Sequence, residues 1–186
     1  MFRRTLFLLT FLISAITAVH AQHIALKNNI LVDAMTAPNL SVEATIARHF
    51  SIDISGEYCG WDFNDTKSLK HWTTRPEFRY WLNKSMDGWF AGLHGIYSDI
   101  NYSGLDMLYG MKKGYAYDGY NYGGGLTLGY QFYLSPHWNL ELSAGAGYLH
   151  FDYDKHYVGT GGLVGHYKRD YYGPTCAAIS FCYIIN

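Results

Sequence analysis

The stretch WNLELSAGAGY, residues 138–148, alternates apolar side chains with small or polar ones. Because successive side chains of a β-strand point to opposite faces, one face of this stretch collects the apolar residues. These are Trp138, Leu140, Leu142, Ala144, Ala146 and Tyr148. The apolar stripe is 11 residues long and aromatic at both ends, and strands that cross a bilayer need about 9–11 residues flanked by aromatic girdles. The stretch therefore predicts a membrane-spanning β-strand.

The same period of two recurs along the chain between turn residues and predicts eight strands. They cover residues 23–33, 39–48, 51–60, 71–83, 88–101, 120–134, 137–153 and 170–185. The connections after the odd-numbered strands are medium or long, and those after the even-numbered strands are short. This alternation, with an even number of antiparallel strands, is typical of outer-membrane barrels. The predicted fold is all-β: an eight-stranded antiparallel up-and-down transmembrane β-barrel.

The composition limits the classes of protein that the chain can belong to. It has 186 residues, of which 49% are hydrophobic and 16% charged, and its formal net charge is −1. This length suits one domain, and the apolar fraction is too high for a disordered chain. Because nucleic-acid-binding proteins carry a basic face, the charge balance predicts no nucleic-acid partner.

The first 21 residues have the pattern of a secretory signal peptide. Arg3 and Arg4 precede an apolar run, and small residues at Val19 and Ala21 match a cleavage site. We therefore expect Sec-type export with cleavage near Ala21. Residues 22–186 then form the barrel domain, and its expected location is the cell outer membrane.

A soluble eight-stranded calyx of the lipocalin type would show the same alternation, with its apolar stripes inside. An eight-stranded interior has room only for packed side chains or one small ligand. The apolar stripes are rich in Leu, Ile, Phe, Tyr and Trp, whereas the opposite faces carry mostly Gly, Ser, Thr and Ala. These sizes favour the membrane barrel. A periplasmic calyx that binds an apolar ligand stays the alternative.

Charged residues of the third and fourth predicted strands lie on the face opposite the apolar stripe. If Glu57 faces Arg75 across this hairpin, Asp53 faces Arg79. Charges outside bulk water persist only when they are paired, and the planar guanidinium of arginine can bridge two carboxylates. We therefore predict a structural charge network in the lumen, formed by Lys27, Glu43, Asp53, Glu57, Arg75, Glu77 and Arg79. The alternative is that these side chains fill space and meet lumen water individually.

No catalytic or metal-binding pattern stands out in the sequence. It contains no Gly-x-Ser-x-Gly elbow, and its nine histidines lack the spacing of a zinc site. His94 and His150 fall well inside predicted strands, but the sequence shows no acid or nucleophile beside either. We interpret Cys59, Cys176 and Cys182 as small buried residues. We expect no enzyme activity, cofactor or metal, with a lipid-modifying outer-membrane enzyme as an alternative.

Tyrosine and glycine are concentrated in the two longest predicted connections and their flanks. Tyrosine gives a large contact area with only two torsions to order, which suits adaptable binding surfaces. The candidate surface-binding loop residues are Tyr109, Tyr115, Tyr117, Tyr157 and Tyr167. The alternative is that these tyrosines pack as cross-strand pairs or meet lipopolysaccharide.

Four short motifs show a family resemblance: Ala25-Leu26-Lys27 with Asn29, Ala37-Pro38-Asn39-Leu40 followed by Glu43, Gly173-Pro174-Thr175, and above all Arg75-Pro76-Glu77-Phe78-Arg79-Tyr80-Trp81. With these motifs the chain resembles an uncharacterised Bacteroidetes family that is known only as a domain of unknown function. That family is similar to OmpA-like eight-stranded outer-membrane barrels. The resemblance covers essentially the whole mature chain and implies no catalytic residues. It implies a link to fimbrial or other cell-surface proteins.

The predicted protein is a small, monomeric outer-membrane barrel without an open pore, because eight strands leave an interior filled by side chains. Its predicted role is structural, in the cell envelope, or one of surface interaction through the Tyr/Gly-rich extracellular loops. The expected contacts are outer-membrane lipid and lipopolysaccharide. Fimbrial proteins, other cell-surface proteins or glycans are the expected partners.

Overall fold

The structure, a computed structural model, describes residues 23–64, 67–104, 112–158 and 161–185. The predicted signal peptide and Tyr109 lie outside the described residues. Eight antiparallel strands, numbered in chain order, form a closed barrel in which each strand pairs with its sequence neighbours and β1 pairs with β8. This confirms the predicted all-β, eight-stranded antiparallel fold.

The strands are β1 (Ile24–Asn29), β2 (Asn39–Ala47), β3 (Phe50–Asn64), β4 (Lys67–Trp81), β5 (Gly88–Ser103), β6 (Tyr115–Ser135), β7 (Trp138–Tyr157) and β8 (Leu163–Ile185). One short helix, α1 (Ile30–Ala34), follows β1. The connections 48–49, 82–87 and 136–137 lie at one end of the barrel, which we call the turn end. The opposite end is called the far end.

Around the middle of the barrel the outer surface is apolar, and near the turn end the interior carries charged side chains. Leu126 is 67% exposed on the outer surface, whereas Glu43 and Arg79 are 0% and 2% exposed inside the barrel. This arrangement follows from the period-two pattern, because one face of each strand is apolar and the other small or polar. A calyx with an apolar interior needs the opposite orientation.

Side chains inside the barrel pack in layers. Towards the turn end, the rings of Trp81 and Phe90 pack with their centroids 4.7 Å apart. The Arg79 guanidinium lies over the Phe90 ring at 4.4 Å and begins a charged layer. Towards the far end, a buried cluster that we call the apolar plug consists of Ile100, Tyr102, Tyr117, Leu149 and Phe151.

Several strand ends at the far end were predicted wrongly. The connection between β3 and β4 is only residues 65–66, where a connection of ten residues was predicted. At the far end, β6 begins at Tyr115, β7 ends at Tyr157 and β8 begins at Leu163, so these strands are longer than predicted. The prediction treated Tyr- and Gly-rich segments as loops, but tyrosine favours strands when it has cross-strand partners.

The first predicted strand is shorter in the structure, because β1 ends at Asn29 and α1 follows it. The Asn29 side chain accepts a hydrogen bond from the backbone N–H of Leu31 at 3.1 Å. This contact caps the helix, since an asparagine side chain satisfies an amide that has no partner within the helix. The helix has five residues. No helix in the described part of the chain is long and apolar enough to cross a membrane.

The predicted register of the β3–β4 hairpin is wrong by two residues. The structure pairs Glu57 with Thr73 rather than Arg75, and Asp53 with Glu77 rather than Arg79. The error arises because both strands continue to the two-residue connection and because the register shifts by one residue between Asp62 and Asn64. A shift of two residues leaves every side chain on its predicted face, so the charged residues still point inward.

Candidate functional site

A cluster of buried charges occupies the lumen near the turn end. Arg79 on β4 donates through Nε to Glu77 Oε1 at 2.8 Å. Its Nη1 atom donates to Glu43 Oε2 at 3.1 Å and to Glu141 Oε2 at 2.9 Å. The guanidinium therefore joins carboxylates from β2, β4 and β7 across the interior, as its planar array of donors allows.

Lys27 on β1 is the second cation of this cluster. Its Nζ atom lies 2.6 Å from Glu141 Oε2 and 3.3 Å from Asp53 Oδ2, and it also contacts Glu43. Ser41 donates a hydrogen bond to Asp53 Oδ2 at 2.7 Å. We call Lys27, Glu43, Asp53, Glu77, Arg79 and Glu141 the lumen charge cluster. All six side chains are buried, so their mutual contacts replace the water that charged groups otherwise need.

The structure brings together five of the seven residues predicted for the lumen network and adds Glu141. Glu57 and Arg75 are not part of this cluster. Glu57 Oε1 lies 3.6 Å from His71 Nε2. Arg75 Nε has no hydrogen-bond partner among the described residues. The signal for Glu141 was its place on the polar face of the stretch 138–148, but its neighbours depend on how the barrel closes.

His94 forms a second buried polar group in the lumen, with partners that the sequence did not reveal. Its Nδ1 atom lies 2.8 Å from Thr127 Oγ1, and its Nε2 atom lies 2.9 Å from Thr175 Oγ1. The Thr127 hydroxyl donates to Glu77 Oε2 at 3.1 Å. Thr175 sits where the β7–β8 register shifts, and such bulges redirect a side chain. The imidazole thus connects β5 with β6 and β8.

Neither a metal site nor a disulfide bond forms among the described residues. Within the described ranges, no group of three or more His, Cys, Asp or Glu residues is arranged to hold a metal ion. Cys59, Cys176 and Cys182 are free thiols; Cys59 and Cys182 are buried and Cys176 is half-buried.

Three of the five candidate tyrosines surround one lysine at the far end, and a fourth packs on one of these three. The Lys155 Nζ atom lies 3.6 Å from the ring centroid of Tyr115, and 5.9 Å from those of Tyr117 and Tyr167. The Tyr115 and Tyr157 rings pack with centroids 5.5 Å apart. The Tyr153 ring packs against those of Tyr117 and Tyr167, with centroid distances of 5.5 Å and 6.1 Å, respectively. We call Tyr115, Tyr117, Tyr153, Tyr157, Tyr167 and Lys155 the tyrosine cluster.

The structure corrects the placement of these tyrosines, because the four described candidates lie in strands rather than in loops. Tyr115 on β6 pairs with Tyr157 on β7, which agrees with the alternative prediction that these tyrosines pack as cross-strand pairs. Tyr117 is only 4% exposed and belongs to the apolar plug, whereas Tyr157 and Tyr167 are 51% and 42% exposed. Lys155 was missed, although its odd number places it on the same strand face as Tyr153 and Tyr157.

Charged residues also line the outer surface near the far end, forming what we call the outer charged band: His150, Asp152, Asp154, His166, Lys168 and Asp170. His166 Nε2 lies 2.9 Å from Asp152 Oδ1, and His166 Nδ1 lies 2.8 Å from Asp154 Oδ1. Lys168 Nζ lies 3.1 Å from Asp152 Oδ2. The hydrogen bond from His150, with a second from Tyr148, lowers the pKa of Asp170. The hydrogen bond to Asp152 raises the pKa of Lys168. These pairs tie β7 to β8 on the outside.

Comparison with known proteins places the chain in a family. No curated protein matches it. A family model described as a protein of unknown function (DUF3575) matches residues 6–185, which is nearly the whole chain. This confirms the predicted relation to a family known only as a domain of unknown function. The chain therefore belongs to the DUF3575 family of proteins of unknown function.

Proposed function

We propose that this protein is a small outer-membrane β-barrel with a closed interior, which serves the cell envelope and presents its far end to partners outside the cell. The observation that carries this proposal is the belt of exposed apolar side chains around the barrel. It includes Leu93, Leu126, Leu128 and Leu142, all exposed on the outer surface. Water-soluble proteins rarely expose apolar patches of such extent, and membrane barrels require them.

Aromatic side chains border this belt at both ends. Towards the turn end, Trp138 packs on Tyr183 with ring centroids 5.1 Å apart. Towards the far end, Tyr148 packs on Tyr172 at 5.1 Å. Ten residue steps separate Trp138 from Tyr148, and steps of about 3.3 Å along a strand tilted by about 40° rise about 25 Å. That height matches the apolar band of outer-membrane barrels.

The filled lumen supports a protein without an open pore. The lumen charge cluster occupies the section near the turn end, and the apolar plug occupies the section near the far end. The apolar plug blocks the passage of ions, and the lumen charge cluster blocks the passage of apolar solutes. An eight-stranded barrel is also narrow enough for side chains to fill it.

The proposed orientation puts the far end outside the cell and the turn end in the periplasm. Short turns are periplasmic in outer-membrane barrels and longer connections are extracellular. Export through the signal peptide pattern of residues 1–21 is part of the proposal. Lipopolysaccharide then surrounds the outer charged band, and a fimbrial or other cell-surface protein or a glycan meets the tyrosine cluster. The proposed protein is monomeric and performs no catalysis.

Cell fractionation combined with gel electrophoresis tests the proposed location and fold. We expect the protein in the outer membrane after an alkaline carbonate wash, released only by detergent. The detergent extract should migrate faster on SDS gels when unboiled, because the closed hydrogen-bonded barrel resists unfolding. Recovery in the osmotic-shock fluid, with the same migration before and after boiling, would show a soluble periplasmic calyx instead.

A further inference from the structure

The inner face of β6, β7 and β8 at the far end carries aromatic and basic side chains, and it is concave because the strands belong to a closed barrel. We call this concave surface the recess. Its floor is the apolar plug, in which Leu149 and Phe151 are buried. Above the floor lie the rings of the tyrosine cluster, and Lys155 stands over Tyr115. The register places Arg169 opposite Phe151, on the same inner face. The recess therefore combines ring faces with cations.

Towards the far end, the charges on these three strands are segregated between the two faces. The aspartates that the structure describes here, Asp118, Asp152, Asp154 and Asp170, all lie on the outer face, where Asp118 pairs with Asp154 and Asp170 with His150. On the inner face of residues 115–121, 149–157 and 163–171, the charged residues are Lys155 and Arg169. The Lys155 ammonium group gives this inner surface a positive charge, which attracts anions.

Lys155 keeps its ammonium group available to a ligand. The contacts described for Lys155 Nζ are with tyrosine rings, and none of the ion pairs between described residues involves it. A lysine ammonium has three N–H donors, and a ring face satisfies none of them fully. A carboxylate that entered the recess could accept a charge-assisted hydrogen bond there.

We propose that this recess binds an acidic sugar residue of a cell-surface glycan, by stacking the sugar on the tyrosine cluster and pairing its carboxylate with Lys155. An acidic pyranose carries an apolar C–H face and a carboxylate on one rigid unit, which matches ring faces beside a cation. The exposed rings of Tyr157 and Tyr167 supply contact area at low entropic cost. The proposal deepens the proposed function and rests on it for access of the glycan from outside the cell.

The test measures binding of oligosaccharides to the detergent-purified full chain. The probes are trigalacturonate, triglucuronate and sialyllactose, each compared with its uncharged analogue, and a hexaglutamate peptide. We expect at least one acidic saccharide to bind more tightly than both its neutral analogue and hexaglutamate. Lys155→Gln should weaken that binding by about tenfold, the value of one charge-assisted hydrogen bond. Tyr167→Ala should weaken it as well.

Lys168→Gln is the matched control, because Lys168 lies on the outer face of β8 and pairs with Asp152. We expect this variant to bind as the wild type does. Equal binding of acidic and neutral sugars, tighter binding of hexaglutamate, or equal losses in the Lys155 and Lys168 variants would overturn the proposal. Heat-dependent gel migration is recorded for every sample. An intact barrel that fails to bind refutes the glycan site alone, whereas a water-soluble protein refutes the proposed function.

Discussion

Arg79 organises the lumen because it reaches carboxylates that belong to different strands. Its donors contact Glu43, Glu77 and Glu141, which come from β2, β4 and β7. Each of these carboxylates is buried, and an isolated buried charge is strongly unfavourable. The cluster therefore links distant strands only while both of its cations, Arg79 and Lys27, are in place.

Replacing Arg79 with glutamine should strand these carboxylates. We expect Arg79→Gln to lower the free energy of unfolding by about 3–5 kcal/mol, the usual cost of removing one partner from a buried ion pair. Urea titration in detergent or lipid measures the change. Arg48→Gln, an exposed arginine at the turn end, is the control and should change stability little. Equal effects of both substitutions would mean that the lumen charges are solvated individually.

Leu142 tests the outer face in the same way, since its side chain is exposed midway along the apolar stripe. We expect Leu142→Arg to cost about 2–4 kcal/mol of folding free energy in lipid bilayers, because arginine must then face hydrocarbon. Leu163→Arg serves as the control, because Leu163 is exposed at the far end beyond the aromatic border. If the two variants fold with equal stability in bilayers, the apolar belt does not contact lipid.

The direction of the charged side chains could be predicted from sequence, whereas their partners could not. Alternation alone assigns Glu43, Glu77 and Arg79 to the inner face. A two-residue shift in register preserves that assignment but changes every pair, as happened between Glu57 and Arg75. The contact of Lys27 with Glu141 joins residues that are 114 positions apart, and only closure of the barrel brings them together.

Glycines decide how closely β6 and β7 approach each other. A Cβ atom added to Gly147 would lie 2.2 Å from the backbone oxygen of Gly124, and one added to Gly125 would lie 2.3 Å from that of Ala146. Both neighbours are backbone atoms, so a larger residue at either glycine fits only if the backbone shifts. The glycines of this hairpin are therefore needed for its strand spacing, in addition to any role in turns.

Gly147→Val should disrupt this hairpin, and we expect a loss of at least about 3 kcal/mol, the upper end for overpacking. The yield of folded barrel in refolding into detergent, scored by heat-dependent gel migration, measures the loss. Gly56→Val is the matched control, because nothing lies within 4 Å of a Cβ atom at Gly56. Similar folding yields for the two variants would show that the β6–β7 spacing adapts to side chains.

The lengths of β6, β7 and β8 exceed what sequence patterns indicated. β8 has 23 residues and β1 only 6, although the alternation predicted more nearly equal strands. Residues 115–119, which precede the predicted strand, end in Gly119, and a glycine between polar residues indicates a turn. In the structure, the pairing of Tyr115 with Tyr157 carries the ladder to the far end. Such long-range pairing is invisible to a local pattern.

The whole molecule separates its two polar regions by an apolar belt on the outside and by packed layers on the inside. The outer charged band and the tyrosine cluster lie at the far end, beyond Tyr148 and Tyr172. The turn end carries only short connections, among them residues 136–137. The two ends of the barrel therefore differ in structure, which suits a barrel that faces different surroundings at its two ends.

Thiol labelling on intact cells tests most directly whether the barrel crosses the outer membrane in this direction. Lys112→Cys and Lys84→Cys replace exposed lysines at the far end and the turn end, respectively. The wild type gives the background from its own thiols, of which Cys59 and Cys182 are buried and Cys176 is half-buried. We expect a membrane-impermeant maleimide to label Lys112→Cys on intact cells and Lys84→Cys only after the cells are broken. Labelling of both variants, of neither variant, or of Lys84→Cys alone on intact cells would contradict a barrel that spans the membrane with its far end outside.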